Sequence, residues 1–291
     1  MSAIAEEVAS QPDSWREAVR LAPGVAADLP HAGERAAVVG CGTSLHVARA
    51  YAALREGGGH GPTDAVPASE WTGTRGYDRV LAITRSGTTT EVVRLLAALA
   101  DVPTVVLTAV GGSPVVAAAD RAVVVDFVDE RSVVQTRFAT SVLALLRAHL
   151  GEDLAQAIDD GEAALRAPLP VEPDGLGHVA FLGHGWTVGV AEEGALKLRE
   201  ASRTYTEAYP AMEYRHGPIS LAADGSLVWI LGTPDESIAD DARATGAFVR
   251  RATFDPLAEL VLVHRLAMAI AEAKGIDPDH PRHLTRSVVL S

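Results

Sequence analysis

Cysteine is nearly missing from this chain of 291 residues, which contains only Cys41. A single cysteine cannot form an intramolecular disulfide, and its scarcity is typical of proteins in a reduced compartment. The N-terminal stretch MSAIAEEVAS carries acids where a signal peptide would carry lysine, and no apolar segment follows it. No run approaches the roughly 20 apolar residues of a membrane-spanning helix. We therefore expect a soluble, cytoplasmic protein with no membrane partner.

Positive charge is also in short supply. The chain has 25 Lys and Arg against 38 Asp and Glu, which gives a formal net charge of -13. A protein that wraps nucleic acid would carry the opposite balance, so we expect no nucleic-acid partner. An anionic ligand would have to be held locally, by backbone N–H groups and a few cations. Hydrophobic residues make up 48% of the chain, enough to bury a core, which excludes global disorder.

Two common nucleotide-binding motifs are absent. The P-loop requires G-K-[ST], which does not occur in the chain. Gly40 and Gly42 begin like a dinucleotide-binding turn, but Leu45 stands where the third glycine would be. The region some twenty residues further on, 57–62, offers no acid at the end of a second strand. We therefore expect no nucleotide cofactor, and we expect no metal or other cofactor.

Short apolar runs alternate with segments of helical periodicity. The runs are nearly continuous, as in parallel strands that are covered on both faces, and they span 36–40, 80–84, 104–108 and 122–127. The segments with helical spacing span 44–55, 89–99 and 136–150. This alternation predicts βαβ units and a parallel sheet.

The pattern restarts after a helix over about 152–165 and a proline-rich linker, APLPVEPDG. The segment 179–198 (VAFLGHGWTVGVAEEGALKL) echoes 38–54 (VVGCGTSLHVARAYAAL), since each has an apolar strand, a G-x-G turn, a polar residue and a helix. Such an internal repeat indicates two similar lobes in tandem. The second copy continues with predicted strands at 227–231 and 248–253 and helices near 235–246 and 256–274.

The sequence thus predicts an α/β protein with two flavodoxin- or Rossmann-like lobes. Each lobe is a parallel sheet flanked by helices, and the second lobe is shortened because it has room for fewer strands. The predicted boundaries are an N-terminal helical segment at 1–35, a first lobe at 36–150, a helix and linker at 151–173, and a second lobe with a C-terminal tail at 174–291.

Two turns of the first lobe combine glycine with small hydroxyl residues. They are GCGTS at Gly40–Ser44 and TRSGTT at Thr84–Thr89, and each follows a strand and opens a helix. A helix N-terminus binds anions through its unpaired N–H groups, and glycine lets a ligand approach the backbone closely. Ordinary N-capping by Ser and Thr is the alternative for either turn alone. The two together favour one phosphate site, in which Arg85 either adds a positive charge or pairs with an acid.

A charged helix face and an unusual loop stand out in the second lobe. One face of a predicted helix at 186–201 carries Glu193, Lys197 and Glu200. This charged face is either a stripe exposed to solvent or a set of functional residues. The following segment, Thr204–Pro218, is dense in aromatic and acidic residues, and we expect it to be irregular. It closes on His216, so a carboxylate and an imidazole could act as general base and acid.

The C-terminal tail, HPRHLTRSVVLS, mixes basic and apolar residues. We expect it to fold back onto the body of the protein. Arg282, His283 and Arg286 could then reach an anionic ligand or pair with the carboxylates of this acidic chain.

Together these segments resemble the sugar-isomerase (SIS) superfamily, in particular the isomerase half of glucosamine-6-phosphate synthase and its shorter relatives. The resemblance extends from about residue 36 to 290, and the motifs follow the family's order. They are CGTS (41–44), TRSGTT (84–89), ERSVVQTRFAT (130–140), EEGALKLRE (192–200), EAYPAMEYRHGP (207–218) and DPDHPRHLTRSV (277–288).

The resemblance implies a role for each matching residue and two tandem SIS lobes. The cradle for the 6-phosphate of a hexose would comprise Gly42, Thr43, Ser44, Thr84, Arg85, Ser86, Gly87 and Thr89. Val133, Gln135 and Glu193 would line or support the sugar pocket. Glu200 would move a proton between sugar carbons 1 and 2, with Lys197 supporting it. His216 would open the sugar ring, and in the family it comes from the neighbouring subunit, so a homodimer is implied.

The chain departs from the synthase at three points. It lacks the glutaminase domain, and Cys41 is no substitute for an N-terminal nucleophile, so we expect no glutamine amidotransferase activity. Gln135 replaces a small hydroxyl residue. Arg286 replaces the lysine that forms an imine with the ketose, and a guanidinium is always protonated and is no nucleophile.

The expected chemistry is proton abstraction at carbon 2 of glucosamine or N-acetylglucosamine 6-phosphate. The intermediate would proceed to isomerisation with loss of ammonia, or would expel the 3-hydroxyl in a dehydration. Deglycation of a fructosamine 6-phosphate is one alternative. A non-catalytic phosphosugar sensor is another, although no segment is left over to form a helix-turn-helix.

Overall fold

The computed structural model describes residues 2–290. The helices in this range are α1 (Ala3–Ala9), α2 (Gln11–Val25), α3 (Thr43–Gly57), α4 (Thr90–Ala98), α5 (Pro114–Ala118), α6 (Arg137–His149), α7 (Ala155–Arg166), α8 (Thr187–Ser202), α9 (Ser237–Ala244) and α10 (Pro256–Ala273). The strands are β1 (Ala36–Gly40), β2 (Thr63–Pro67), β3 (Arg79–Ile83), β4 (Thr104–Thr108), β5 (Arg121–Val124), β6 (His178–Gly183), β7 (Tyr205–Pro210), β8 (Ser226–Ile230) and β9 (Phe248–Arg251).

The strands form two sheets. One has five strands in the order β2-β1-β3-β4-β5, and the other has four in the order β7-β6-β8-β9. All neighbouring strands are parallel. This confirms the predicted fold class, an α/β protein with two parallel sheets flanked by helices, the second sheet being the smaller.

The described chain divides into two compact units. The five-strand unit comprises residues 13–131, 137–154 and 285–290, and the four-strand unit comprises 2–12, 132–136 and 155–284. The sequence-based boundaries assigned the tail to the second lobe, whereas residues 285–290 group with the five-strand unit. Hydrogen bonds between the tail and α4 explain this, because the Thr90 N–H donates to the carbonyl of Val288 (3.1 Å) and the Leu290 N–H donates to Thr90 Oγ1 (2.9 Å).

Strands β1 and β4 of the five-strand sheet are buried along their whole length, which is why they appear in the sequence as unbroken apolar runs. Val39, Ala82 and Val106 lie in one core cluster with Val92 and Leu96 of α4. That packing fixes the start of α4 relative to the end of β3, where one of the glycine-hydroxyl turns lies.

The core of the four-strand unit contains aromatic residues that pack near the buried acid Glu259. The ring of Phe181 on β6 stacks on that of Trp229 on β8, with a centroid separation of 5.7 Å. The Trp229 indole N–H donates to Glu259 Oε2 on α10 (2.9 Å). Helix α10 also packs against α8, which carries the predicted charged row.

Strands β2 and β7 and helix α5 were not predicted from the sequence. Thr204–Pro218 was expected to be irregular, and this was wrong, because it contains β7 and a 3-10 helix over Ala211–His216. Both β2 and β7 are edge strands, which tolerate partly exposed polar residues and so lack an apolar run. Helix α5 has five residues, too few to show a helical period.

Candidate functional site

The two glycine-hydroxyl turns lie at the carboxyl ends of neighbouring strands. Strands β1 and β3 pair in parallel, with Val39 opposite Ala82, so the turns that follow them share one edge of the sheet. Gly42 is the N-cap of α3 and has no side chain to cap it. Thr89 is the N-cap of α4, and its side chain makes no capping hydrogen bond within the described chain. The capping alternative therefore does not account for the hydroxyl of Thr89.

Glycine is required in both turns. Gly42 has φ +55° and Gly87 has φ +66°, in the left-handed region that other residues adopt only under strain. A Cβ on Gly87 would also collide with the side chain of Ser113. At Gly42 no atom lies within 4 Å of the position that a Cβ would take, so the backbone there is open to a ligand approaching the start of α3.

The hydroxyl residues of the turns are held close to the backbone. Thr43, Ser44, Thr84 and Ser86 are buried. The Oγ of Ser86 accepts hydrogen bonds from the N–H of Thr88 (3.3 Å) and from its hydroxyl (3.2 Å). These two hydrogen bonds join Ser86 to Thr88 just before α4 begins, so this turn is preorganised.

Arg85 pairs with an acid inside the five-strand unit. Its Nη1 lies 3.5 Å from Glu130 Oε2, and its Nη2 donates to the carbonyl of Arg286 (3.1 Å). Both side chains of the ion pair are buried, and burial lowers the pKa of Arg85 while the charge of Glu130 opposes this. Of the two roles left open for Arg85, the structure shows the pairing with an acid.

Arg286 lies in the same network. Its guanidinium donates to the carboxylate of Asp129 and to the carbonyl of Glu130. The expectation that the tail folds back and pairs with carboxylates is confirmed for this residue. Arg282 and His283 are exposed. Asp129, which the sequence analysis did not single out, is adjacent to the motif residue Glu130.

The charged row of α8 is largely internal. Lys197 Nζ lies 2.5 Å from Glu200 Oε2 and 3.4 Å from Glu193 Oε1. Lys197 and Glu193 are buried, whereas the side chain of Glu200 is 20% exposed. A solvated stripe would expose all three residues, so that alternative is wrong. The carboxylate of Glu200 instead reaches the surface, and the buried ammonium of Lys197 orients it through a short charge-assisted hydrogen bond.

A buried histidine lies behind this row. His264 on α10 is inaccessible, and its Nδ1 accepts a hydrogen bond from the amide Nε2 of Gln11 (3.1 Å). Burial, and secondarily the charge of Lys197, lowers the pKa of His264 to about 3. The imidazole is therefore neutral near pH 7, with its proton on Nε2. No sequence signal pointed to His264, because it lies within an apolar helix.

His216 ends the 3-10 helix Ala211–His216 and is exposed. Within residues 2–290 no hydrogen bond or ion pair joins it to Glu200. Tyr214, two residues earlier, is buried, and burial raises its pKa to about 12. The structure thus anchors this loop through the Tyr214 ring and leaves the imidazole of His216 at the surface.

The predicted sugar-pocket residues Val133 and Gln135 lie on the short segment 132–136 of the four-strand unit. The Oε1 atom of Gln135 is buried and has no hydrogen-bond partner in the described part of the chain. Ser132, at the start of this segment, contacts Glu7 of α1, a residue that the sequence analysis missed. A buried acceptor of this kind is ready to receive a donor from a ligand.

Residues 2–290 contain no group of three His, Cys, Asp or Glu side chains that lie close enough together to hold a metal ion. None of the helices in this range combines the length and the apolar character needed to cross a membrane.

Comparison with known sequences gives matches to a domain family and to longer enzymes. The SIS domain family matches residues 29–149. The glutamine–fructose-6-phosphate aminotransferase (isomerizing) of Methanothermobacter thermautotrophicus is 29% identical over 306 residues, covering 88% of this chain and 52% of that protein. The homologous enzyme of Sulfurisphaera tokodaii is 27% identical and covers 96% of this chain and 54% of its own length. The chain thus spans about half the length of these curated relatives.

Comparison with solved structures extends over nearly the whole chain. A glucosamine-6-phosphate deaminase from Thermotoga maritima superimposes with a TM-score of 0.83 at 26% identity, covering 99% of this chain and all of that one. The C-terminal domain of the glucosamine–fructose-6-phosphate aminotransferase from Francisella tularensis superimposes with a TM-score of 0.78, and at 21% identity it shows the shared fold. The chain therefore contains an SIS domain and is homologous to the isomerase domain of glutamine–fructose-6-phosphate aminotransferase.

Proposed function

We propose that this protein is an enzyme that abstracts the proton at carbon 2 of an open-chain hexosamine 6-phosphate, with Glu200 as the base. The observation that carries this proposal is the 2.5 Å contact between Lys197 Nζ and Glu200 Oε2. It fixes one carboxylate oxygen, while Oε1 has no hydrogen-bond partner within the described residues. A base that is oriented in this way and partly exposed can reach a substrate proton without first rearranging.

The five-strand unit would bind the phosphate. Four buried hydroxyl residues, Thr43, Ser44, Thr84 and Ser86, lie at two adjacent helix N-termini, and the hydroxyl of Thr89 is not used as a cap. Such a cradle supplies N–H and O–H donors, so it can hold an anion on a chain of net charge -13. Arg85 is paired with Glu130, so its positive charge would favour phosphate binding without direct contact.

The chemistry would proceed without an imine. The chain has two lysines, Lys197 and Lys274. Lys197 lies between two carboxylates, and the Nζ of Lys274 donates to the carbonyl of Ser202 and to Thr204 Oγ1, both at 3.0 Å. A nucleophilic amine must be free to lose its proton and attack a carbonyl. The pairing of both lysines therefore supports proton transfer on the open-chain sugar itself.

Two fates of the resulting enol(ate) fit this machinery. With a free amine, return of the proton to carbon 1 gives a ketimine, and water then releases ammonia to leave fructose 6-phosphate. With an N-acetyl group the nitrogen cannot leave readily, so the 3-hydroxyl departs as water and a 2,3-unsaturated sugar phosphate is formed. The unpaired carbonyl of Gln135 supports a substrate that presents an N–H or O–H donor.

The imidazole of His216 would open the sugar ring. Its exposure fits a group that completes the site of a neighbouring subunit, so we propose a homodimer. The matched test is a mixture of two inactive variants, Glu200→Gln and His216→Ala. Sharing of His216 between subunits predicts partial recovery of turnover on mixing, and a site contained in one chain predicts none.

The test of the proposed function is incubation with glucosamine 6-phosphate and N-acetylglucosamine 6-phosphate in separate reactions. Ammonia release and loss of water, followed by mass spectrometry, distinguish the two fates. A fructosamine 6-phosphate serves as a third substrate to test deglycation. Binding of these compounds without turnover of any would identify a sensor and would contradict the proposal.

A further inference from the structure

The segment that carries the predicted sugar-pocket residues is fastened to the N-terminal helix by one buried acid. Glu7 on α1 is 2% exposed. Its Oε1 accepts the backbone N–H of Ser132 (3.3 Å), and its Oε2 contacts the hydroxyl of Ser132. A carboxylate withdrawn from water this far is retained only where donors satisfy it. Here those donors belong to the first residue of the segment 132–136.

Helix α1 is itself anchored within the four-strand unit. The carboxylate of Asp279 caps its N-terminus, accepting the N–H groups of Ala3 and Ile4, both at 2.8 Å. Immediately after the helix, Gln11 bonds to the buried His264 (3.1 Å). Two independent polar contacts therefore fix the ends of α1, and the helix can hold the Glu7 carboxylate in a defined position.

We infer that Glu7 is a positioning residue for sugar recognition, acting through Ser132 on Val133 and Gln135. This inference rests on the proposed function, since it concerns the sugar pocket of that site. Ser132 precedes Val133 directly, and its hydroxyl oxygen also lies 2.7 Å from the carbonyl oxygen of Val134. Holding Ser132 thus sets the backbone path of the whole segment, and the cradle in the five-strand unit takes no part in this contact.

The test compares Glu7→Ala with Glu7→Gln, Ser132→Ala and Glu6→Ala. Gln keeps an oxygen acceptor, and Glu6 is an exposed neighbour on the same helix. Titration calorimetry with N-acetylglucosamine 6-phosphate should show binding weakened about tenfold in Glu7→Ala, the effect of losing hydrogen bonds to a charged group. Glu7→Gln should recover most of this affinity, Ser132→Ala should be intermediate, and Glu6→Ala should match the wild type. The affinity for inorganic phosphate should change by less than about twofold in all four variants.

Hydrogen exchange separates this inference from the proposed function. In Glu7→Ala the amides of residues 132–136 should exchange at least about tenfold faster while those of β1 keep their rates, because one local hydrogen bond has been lost. Unchanged exchange in the segment, or equal losses of affinity for the sugar phosphate and for phosphate, would overturn the inference. If the wild type binds no sugar phosphate, the proposed function fails, and the exchange rates alone decide whether Glu7 holds the segment.

Discussion

The guanidinium of Arg286 is bound to the carboxylate of Asp129, and it also donates to the carbonyl of the next residue, Glu130. This pairing occupies the tail residue for which the resemblance to the synthases implies a lysine. The tail is thus held by an ion pair through a guanidinium, a group that cannot form an imine.

The first prediction is that borohydride will not trap a covalent sugar adduct. We expect the mass of the protein to be unchanged after incubation with fructose 6-phosphate and borohydride, because Arg286 is no nucleophile and both lysines are engaged. Intact-protein mass spectrometry measures this directly. An adduct that maps to Lys197 or Lys274 would contradict the account.

The second prediction concerns the buried charge of Lys197. Replacement of Lys197 by Met leaves Glu193 buried without its cation, so we expect a loss of about 3–5 kcal/mol in the free energy of unfolding. Lys274→Met is the matched control, since Lys274 is less buried and donates only to neutral oxygens, and it should lose about 1 kcal/mol. Urea denaturation provides both values, and equal losses would contradict the buried-row interpretation.

The third prediction is a pH dependence of stability from His264. Its folded-state pKa, about 3, lies below the ordinary value of 6.5, so the unfolded state binds more protons between these limits. Stability should therefore be fully present above pH 6.5 and fall as the pH drops toward 3, with a slope of up to about 1.4 kcal/mol per pH unit.

The control for this pH effect is His264→Gln, which does not titrate. Its free energy of unfolding, measured by urea denaturation at several pH values, should fall less steeply below pH 6.5 than that of the wild type. Parallel curves for the two proteins would show that His264 is not the group responsible.

The fourth prediction concerns the backbone of the cradle. Gly87→Ala imposes a side chain at φ +66° and drives a Cβ into Ser113, so we expect a loss of at least about 2 kcal/mol and weaker phosphate binding. Gly112→Ala is the control, since no atom lies within 4 Å of its added Cβ. Phosphate titration and thermal unfolding of both variants test this. Normal phosphate affinity in Gly87→Ala would place the phosphate elsewhere.

Much of this fold could be predicted because buried parallel strands leave an unmistakable sequence pattern. Strands β1, β3, β4 and β8 coincide with predicted apolar runs, to within one residue at each end, and β6 begins within one residue of the predicted segment 179–198. The edge strands β2 and β7 could not be predicted in this way, since partial exposure lets polar residues interrupt them. Strand β7 was not predicted, because the aromatic and acidic residues of its segment indicated a loop.

In the candidate site, contacts between residues close in the sequence could be predicted, whereas contacts between distant residues could not. Helical spacing alone brought Glu193, Lys197 and Glu200 to one face, and the structure confirms that they contact one another. Glu7 and His264 could not be found, because their partners are 125 and 253 residues away in the sequence. No local pattern encodes such long-range contacts, which depend on how α1 and α10 pack.

The central claim is that Glu200 removes the proton at carbon 2. Its most direct test is proton NMR of the substrate in deuterated water, with wild type, Glu200→Gln and Glu213→Gln as an exposed control. We predict that exchange at carbon 2 slows by about 10²–10⁴-fold in Glu200→Gln, the usual effect of losing a general base, while binding persists and the control matches wild type. Exchange at the wild-type rate in Glu200→Gln would contradict the account.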